Sequence, residues 1–193
     1  MSRSIFDLLA PIYGPISRVI FTNTWKNIIK RMDLKSGDKI LDIGGGQGQF
    51  LDEIQKEVKD IDVYLLDDSK SMVKKASLSN RILGKACSLP LAEDSFDHIL
   101  CIDALHHFQN QKESKKEMIR TLKPGGDIYI LDLDKNEILT KIVCTFEFLV
   151  GEPSRFYEGE ELKKYFSERG FQTSIERLNS YEFILQVKKD HSE

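Results

Sequence analysis

Residues 39–51, K-I-L-D-I-G-G-G-Q-G-Q-F-L, constrain the fold more than any other stretch of the chain. A short apolar run, Ile40-Leu41-Asp42-Ile43, is broken by glycines at 44, 45, 46 and 48. Phe50, Leu51, Ile54 and Val58 then recur on one helical face. This pattern reads as strand, tight turn, helix. Glycine serves where the backbone takes conformations closed to other residues, or where a ligand must approach closer than a Cβ allows. The first amides of the following helix are left as unpaired donors that point outward. A dinucleotide fingerprint G-x-G-x-x-G counted from Gly44 requires glycine where Gln49 stands. The stretch instead spells D-x-G-x-G-x-G, from Asp42 through Gly44 and Gly46 to Gly48.

A second acid lies where such a turn needs one. Residues 61–66 form an apolar strand ending in Asp67-Asp68-Ser69, and a carboxylate at the end of a second parallel strand can accept both hydroxyls of a ribose. Ser69 is placed to cap a helix over residues 70–76. Residues 95–102 form a further strand that leads into Asp103-Ala104-Leu105-His106-His107-Phe108. Imidazole titrates near neutral pH, so His106 or His107 can act as a catalytic base. The alternative is that one of them only hydrogen-bonds backbone at the strand end.

The remaining elements follow from periodicity and breakers. Helices are expected over residues 112–122, 137–150 and 160–168, and strands over 127–133, 171–178 and 181–187. Residues 151–157 read as a loop in which Arg155, Phe156 and Tyr157 are candidate substrate contacts. The chain of 193 residues fits a single domain. A net charge of −3 advertises no phosphate-backbone partner, so nucleic acid is disfavoured. The cysteines, Cys87, Cys101 and Cys144, are odd in number and never spaced C-x-x-C, which argues against a disulfide framework or a zinc site. No metal is assigned. The first residues show no basic region followed by a long apolar run, so no secretory leader is expected, and no apolar run approaches the roughly 18 residues of a membrane span. A soluble, cytoplasmic protein is expected.

Several stretches together resemble the class I S-adenosylmethionine (SAM) methyltransferases, and within them the type 11 group that includes the ubiquinone and menaquinone biosynthesis methyltransferases. D-x-G-x-G-x-G is similar to their motif I. F-D-L-L-A-P-I-Y-G-P over residues 6–15 is similar to their F-D-x-x-A-x-x-Y-D opening, with Gly14 in place of the aspartate. I-L-G-K-A-C-S-L-P over residues 82–90 resembles their G-D-A-x-x-L-P, with Lys85 where an aspartate usually accepts from adenine. S-F-D-H-I, A-L-H-H-F and L-K-P-G-G complete the match in order over residues 39–133. The amino-methyltransferase motif N/D-P-P-Y/F is missing after the fourth strand, which again disfavours nucleic acid.

The resemblance implies a Rossmann-like, doubly wound α/β sheet of about seven strands, mostly parallel, with an antiparallel carboxyl-terminal edge hairpin and a helical cap. It implies one SAM-methyltransferase domain over residues 1–193. Residues 1–36 form an amino-terminal helical cap, 37–134 the cofactor core, 135–157 a cap insertion, and 158–188 the closing helix and hairpin. It assigns SAM as cofactor and S-adenosylhomocysteine (SAH) as product. Asp42, Gly44, Gly45, Gly46, Gln47 and Gly48 would hold the methionine end, with Asp103 near its amino group. Asp67, Asp68 and Ser69 would hold the ribose, Met72, Lys85, Ala86 and Cys87 the adenine, and Tyr13 would lie over the cofactor. The expected acceptor is a small molecule of aromatic or lipid-like character. Two other classes fit parts of the pattern: a non-catalytic SAM- or SAH-binding regulatory protein, and an NAD-dependent oxidoreductase, against which this sequence's missing third glycine and lack of any Y-x-x-x-K count. Oligomeric state is not legible in the sequence.

Overall fold

The computed structural model describes residues 25, 26, 28–149 and 154–191. Tyr13 and the expected helical pieces of residues 1–24 lie outside the described residues. The strands are β1 (Lys39–Ile43), β2 (Asp62–Asp67), β3 (Asn80–Leu83), β4 (Phe96–Ile102), β5 (Leu122–Leu133), β6 (Gln172–Arg177) and β7 (Glu182–Lys188). The helices are α1 (Gln49–Glu57), α2 (Lys70–Lys75), α3 (Gln111–Thr121), α4 (Ile138–Leu149) and α5 (Gly159–Ser167), with a 3-10 turn at Leu105–His107. One seven-stranded sheet runs β3-β2-β1-β4-β5-β7-β6. Its first five strands are parallel, and β7 runs antiparallel to both β5 and β6. This is the doubly wound sheet with an antiparallel edge that the sequence implied.

The strands carry apolar residues on both faces, as a sheet covered on both sides requires. Leu41 and Ile43 of β1 join Ile99, Cys101, Ile128 and Leu185 in one buried core. Ile40, one residue out of phase, joins Leu65, Leu100, Tyr129 and Ile184 in the other. The second core also receives Trp25, Ile28, Ile29 and Met32, which pack with Phe50, Leu51 and Ile54 of α1. The Trp25 and Phe50 rings meet edge to face with centroids 5.7 Å apart. So Trp25, Ile28, Ile29 and Met32 pack against the sheet layer. Helix α4 does not bury its whole apolar stripe: Ile138, Ile142, Phe148 and Leu149 are exposed.

The L-K-P-G-G stretch departs from expectation. Instead of a connection ahead of the fifth strand, it lies inside β5. The pairing with β4 jumps from Phe96↔Leu122 to His98↔Asp127, so extra residues bulge out of β5. Gly125 takes φ 82 in this bulge, and its N–H donates to the Lys189 carbonyl at 2.9 Å. Lys189 N–H in turn donates to the Gly126 carbonyl at 2.9 Å. The chain beyond β7 thereby satisfies backbone groups that proline and bulge geometry remove from the ladder.

Helix α5 packs on β7 at Gly159, where an added Cβ would come within 2.4 Å of Ile175 and 3.2 Å of Phe183. Phe183 is fully buried at this junction. Phe183→Ala is expected to cost about 3–5 kcal/mol through lost transfer energy and the cavity left behind. Urea denaturation checks this as a lower midpoint with an unchanged slope.

Candidate functional site

The strand order reverses at β1, which has β2 on one side and β4 on the other. In an open parallel sheet the ligand crevice lies beyond the carboxyl ends at such a point. A cleft of about 350 Å³ opens there, walled by the turn after β1, the ends of β2 and β4, and the segment after β3.

The turn is built by glycines in left-handed conformations. Gly44 (φ 78) donates its N–H to the Leu66 carbonyl at 2.7 Å, and an added Cβ there would lie 2.7 Å from Ala104 Cβ. Glycine at 44 therefore lets the turn pack against the tip of β4. Gly46 (φ 58) donates to Asp67 Oδ2 at 2.9 Å, while Asp67 Oδ1 accepts the Ser69 N–H at 2.8 Å. Ser69 caps α2 by accepting the Met72 N–H at 3.3 Å. Met72 is buried, with its sulfur 3.7 Å from Gln47 Nε2.

Asp42 lies beneath this turn, 1% exposed. An added Cβ at Gly45 would fall 2.4 Å from Asp42 Oδ2, and Asp42 Oδ1 has no hydrogen-bond partner among the described residues. Burial, reinforced by the charge of Asp67, pushes its carboxyl up to about 8. On the far wall, Lys85, Ala86 and Cys87 line the cleft, with Lys85 exposed and its carbonyl accepting the Ser88 N–H at 3.1 Å.

The tip of β4 carries the densest group of titratable side chains. Asp103 takes φ 51, a left-handed conformation that aspartate tolerates, and donates its N–H to the Leu131 carbonyl at 2.8 Å. Its side chain opens into the cleft yet is crowded by protein on the walls. Desolvation, with Asp132 adding and His106 opposing, pushes its carboxyl up to about 6. His106 is buried and donates from Nδ1 to Asp132 Oδ1 at 2.7 Å. Its ring stacks on Phe156 with centroids 4.1 Å apart and lies 4.0 Å from the ring of His107. Burial works against its proton, but the charge and hydrogen bond of Asp132 outweigh it and raise its pKa. His107 lines the cleft, with Nε2 3.7 Å from Glu147 Oε1 of α4. Burial, then the neighbouring His106, lowers its pKa to about 3.

The structure brings the sequence-derived residues together around one cleft, at two depths. Gly44, Gly46, Asp67, Asp68, Ser69, Met72, Lys85, Ala86, Cys87, Asp103 and His107 line it. Asp42, Gly45, Gln47, Gly48 and His106 stand behind that lining and support it. Of the loop candidates, the Arg155 N–H donates to the His106 carbonyl at 2.9 Å, Phe156 is buried, and the Tyr157 hydroxyl accepts from Lys115 at 3.0 Å. These residues brace the 3-10 turn. Sequence reasoning missed Asp132 and Glu147. Asp132 stands near the carboxyl end of a parallel strand, which is a usable signal, whereas Glu147 on α4 has no local one.

The family described as "Methyltransferase domain" matches residues 41–130. The chain is 32% identical to methyltransferase GfsG of Streptomyces halstedii over 117 residues, covering 56% of this chain but only 42% of GfsG. It is 26% identical to the demethylmenaquinone methyltransferase of Staphylococcus saprophyticus over 202 residues, covering 88% of this chain and 87% of the relative. Among solved structures it resembles a chain from the complex between the Haloferax volcanii Trm112 methyltransferase activator and a methyltransferase. The TM-score is 0.86 at 19% identity, covering 99% of this chain and 100% of that one, a likeness of fold alone.

Asp42 ties the site to stability. Its folded pKa is raised above the unfolded value near 3.9, so between these values the native state binds more protons than the unfolded one. Its contribution is fully present below about 4 and is lost as pH rises through about 8, at no more than about 1.4 kcal/mol per pH unit. The ligand-free protein should therefore lose melting temperature between pH 6 and 9 at a rate that Asp42→Asn reduces. Thermal melts across that range, on both proteins, measure the difference.

Proposed function

We propose that the chain is a SAM-dependent protein of the methyltransferase domain family that it matches over residues 41–130, and that it transfers the SAM methyl group to an oxygen, nitrogen or carbon of a small-molecule acceptor, releasing SAH. The observation that carries this reading is Asp67. It lines the cleft at the end of β2 while holding the glycine turn through Gly46. Two further features suit a cationic adenosyl ligand. Asp42 keeps a buried carboxylate oxygen without a hydrogen-bond partner among the described residues. At Gly46 an added Cβ would meet nothing within 4 Å, so the backbone there borders open space.

When bound, SAM supplies a methyl group on a sulfonium, activated for displacement. The protein's own task is then placement and charge. Asp67, an acceptor-only carboxylate at the cleft, meets the ribose hydroxyls, beside Asp68 and Ser69. The turn Gly44–Gly48, backed by Asp42 and Gln47, holds the methionine end, and Asp103 accepts from its ammonium. Met72, Ala86 and Cys87 face the adenine. His107 offers the acceptor a neutral imidazole, which adds no positive charge beside a sulfonium. His106 acts through it as a positioning residue fixed by Asp132. Residues 135–149 and 154–157 contribute a cap beside the core 37–134, closed by residues 158–188; Tyr13 lies outside the described residues. The exposed apolar face of α4 supports an aromatic or lipid-like acceptor rather than nucleic acid, and a cytoplasmic site of action belongs to the same reading. A second reading, a SAM- or SAH-binding protein without catalysis, draws on Lys85, which offers donors where adenine's amino group needs an acceptor.

Calorimetry with SAH is expected to show one site, weakened at least about tenfold in Asp67→Ala by the loss of charged hydrogen bonds worth about 1.5–3 kcal/mol. Binding of NADH instead would sink the reading. Methyl loss from labelled SAM across an acceptor panel separates enzyme from binder. Lys85→Asp should tighten SAH about tenfold by restoring an acceptor, and weaker binding would show that adenine is held elsewhere.

A further inference from the structure

His106, His107 and Glu147 each offer one ligand atom within 4.8 Å of the others. From this geometry we infer a binding site for one divalent first-row transition metal ion, of the zinc class, on the β4 wall of the cleft. The sequence shows no cysteine zinc motif, and these ligands meet only because α4 folds back over the 3-10 turn.

Three observations carry the assignment. The first is spacing. Two ligands at about 2.0–2.1 Å from a tetrahedral ion lie about 3.3–3.5 Å apart. His107 Nε2 and Glu147 Oε1, at 3.7 Å, are too far apart for a hydrogen bond and close to that ligand separation. The second is orientation. Asp132 takes the Nδ1 proton of His106 at 2.7 Å, which fixes the tautomer and leaves the Nε2 lone pair as the ligand atom. A carboxylate behind a ligating imidazole is the usual outer partner of such sites. The third is an unmet need: Glu147 Oε2 is buried with no hydrogen-bond partner among the described residues.

Asp103, His106 and Asp132 form an overlapping group, but the 2.7 Å between His106 and Asp132 leaves no room for an ion between them. Those two aspartates are better placed to balance the ion's charge. Two imidazoles and one carboxylate leave coordination positions open. Because His107 lines the cleft, an open position faces it and suits an oxygen or sulfur donor of a small molecule. That last role rests on the methyl-acceptor reading above, whereas metal binding does not.

The test uses the full chain, freed of metal by chelator and dialysis. Zn²⁺ is titrated by calorimetry and Co²⁺ by visible absorption. One equivalent of each should bind, with cobalt d–d bands and no thiolate charge-transfer band. His107→Asn and Glu147→Gln should each weaken binding about 100-fold or more, and Asp132→Asn about 10–100-fold. The inference is overturned by substoichiometric binding, by a thiolate band pointing to the cysteines, or by unchanged affinity in both ligand variants. If a variant melts early, the wild-type stoichiometry and cobalt spectrum decide alone. SAH titrated into the same samples separates the two proposals. In the wild-type protein, SAH binding without zinc binding defeats only this proposal, and zinc binding without SAH binding defeats only the methyltransferase reading.

Discussion

The site depends on one carboxylate. Asp67 accepts the Gly46 N–H on one oxygen and the Ser69 N–H on the other, and so ties the turn after β1 to the start of α2. A turn rich in glycine loses more conformational freedom on folding than any other sequence, and left alone it would sample many shapes. Parallel pairing of Ile43 with Leu66 brings its base beside the end of β2. Asp67 then fixes its crest with charge-assisted bonds, among the stronger hydrogen bonds available. Asp67 also lines the cleft, so the group that shapes the turn borders the space a ligand would fill.

That arrangement concentrates acids in a small cleft, and the protein resolves the repulsion by holding protons. Asp42, fully buried, is raised to about 8, and Asp103, exposed at the cleft but desolvated by its walls, to about 6, while Asp67 accepts the Gly46 and Ser69 amides. His107 is driven the other way, to about 3, because burial and its neighbour disfavour a cation. The free cleft is thus poised to receive positive charge. A cation entering it would draw the proton off Asp42 and recover interactions that the ligand-free protein forgoes. Such residues weaken the fold in order to serve a ligand.

How much of this was legible in the sequence differed by element. The strand, glycine turn and helix at residues 39–57 were visible because period and breakers agree over a short span. Asp67 and Asp103 were visible because strand ends in a parallel sheet point toward the crevice. The bulge in β5 was not. L-K-P-G-G reads locally as a loop, and only the partner strands and the backbone of Lys189 make it part of the sheet. Nor could the sequence rank His106 against His107. Adjacent residues look equivalent on paper, but the 3-10 turn sends one into the core and the other into the cleft. Asp132 and Glu147, distant along the chain, complete that division.

His106 shows how a buried polar group becomes useful. An imidazole 4% exposed loses its hydration, a cost that a single hydrogen bond to a neutral partner would offset only in part. Here the carboxyl of Asp132, the stacked ring of Phe156, and the Arg155 N–H on the His106 carbonyl hold the side chain and its backbone at once. Gln111 extends the brace by donating to the carbonyls of Leu105 and Arg155 at 2.9 and 2.7 Å. Such constraint fixes the tautomer and the plane of His106, and through ring contact it restricts His107. The imidazole that meets the cleft is therefore oriented from behind, by a set of bonds that no ligand in the cleft needs to break.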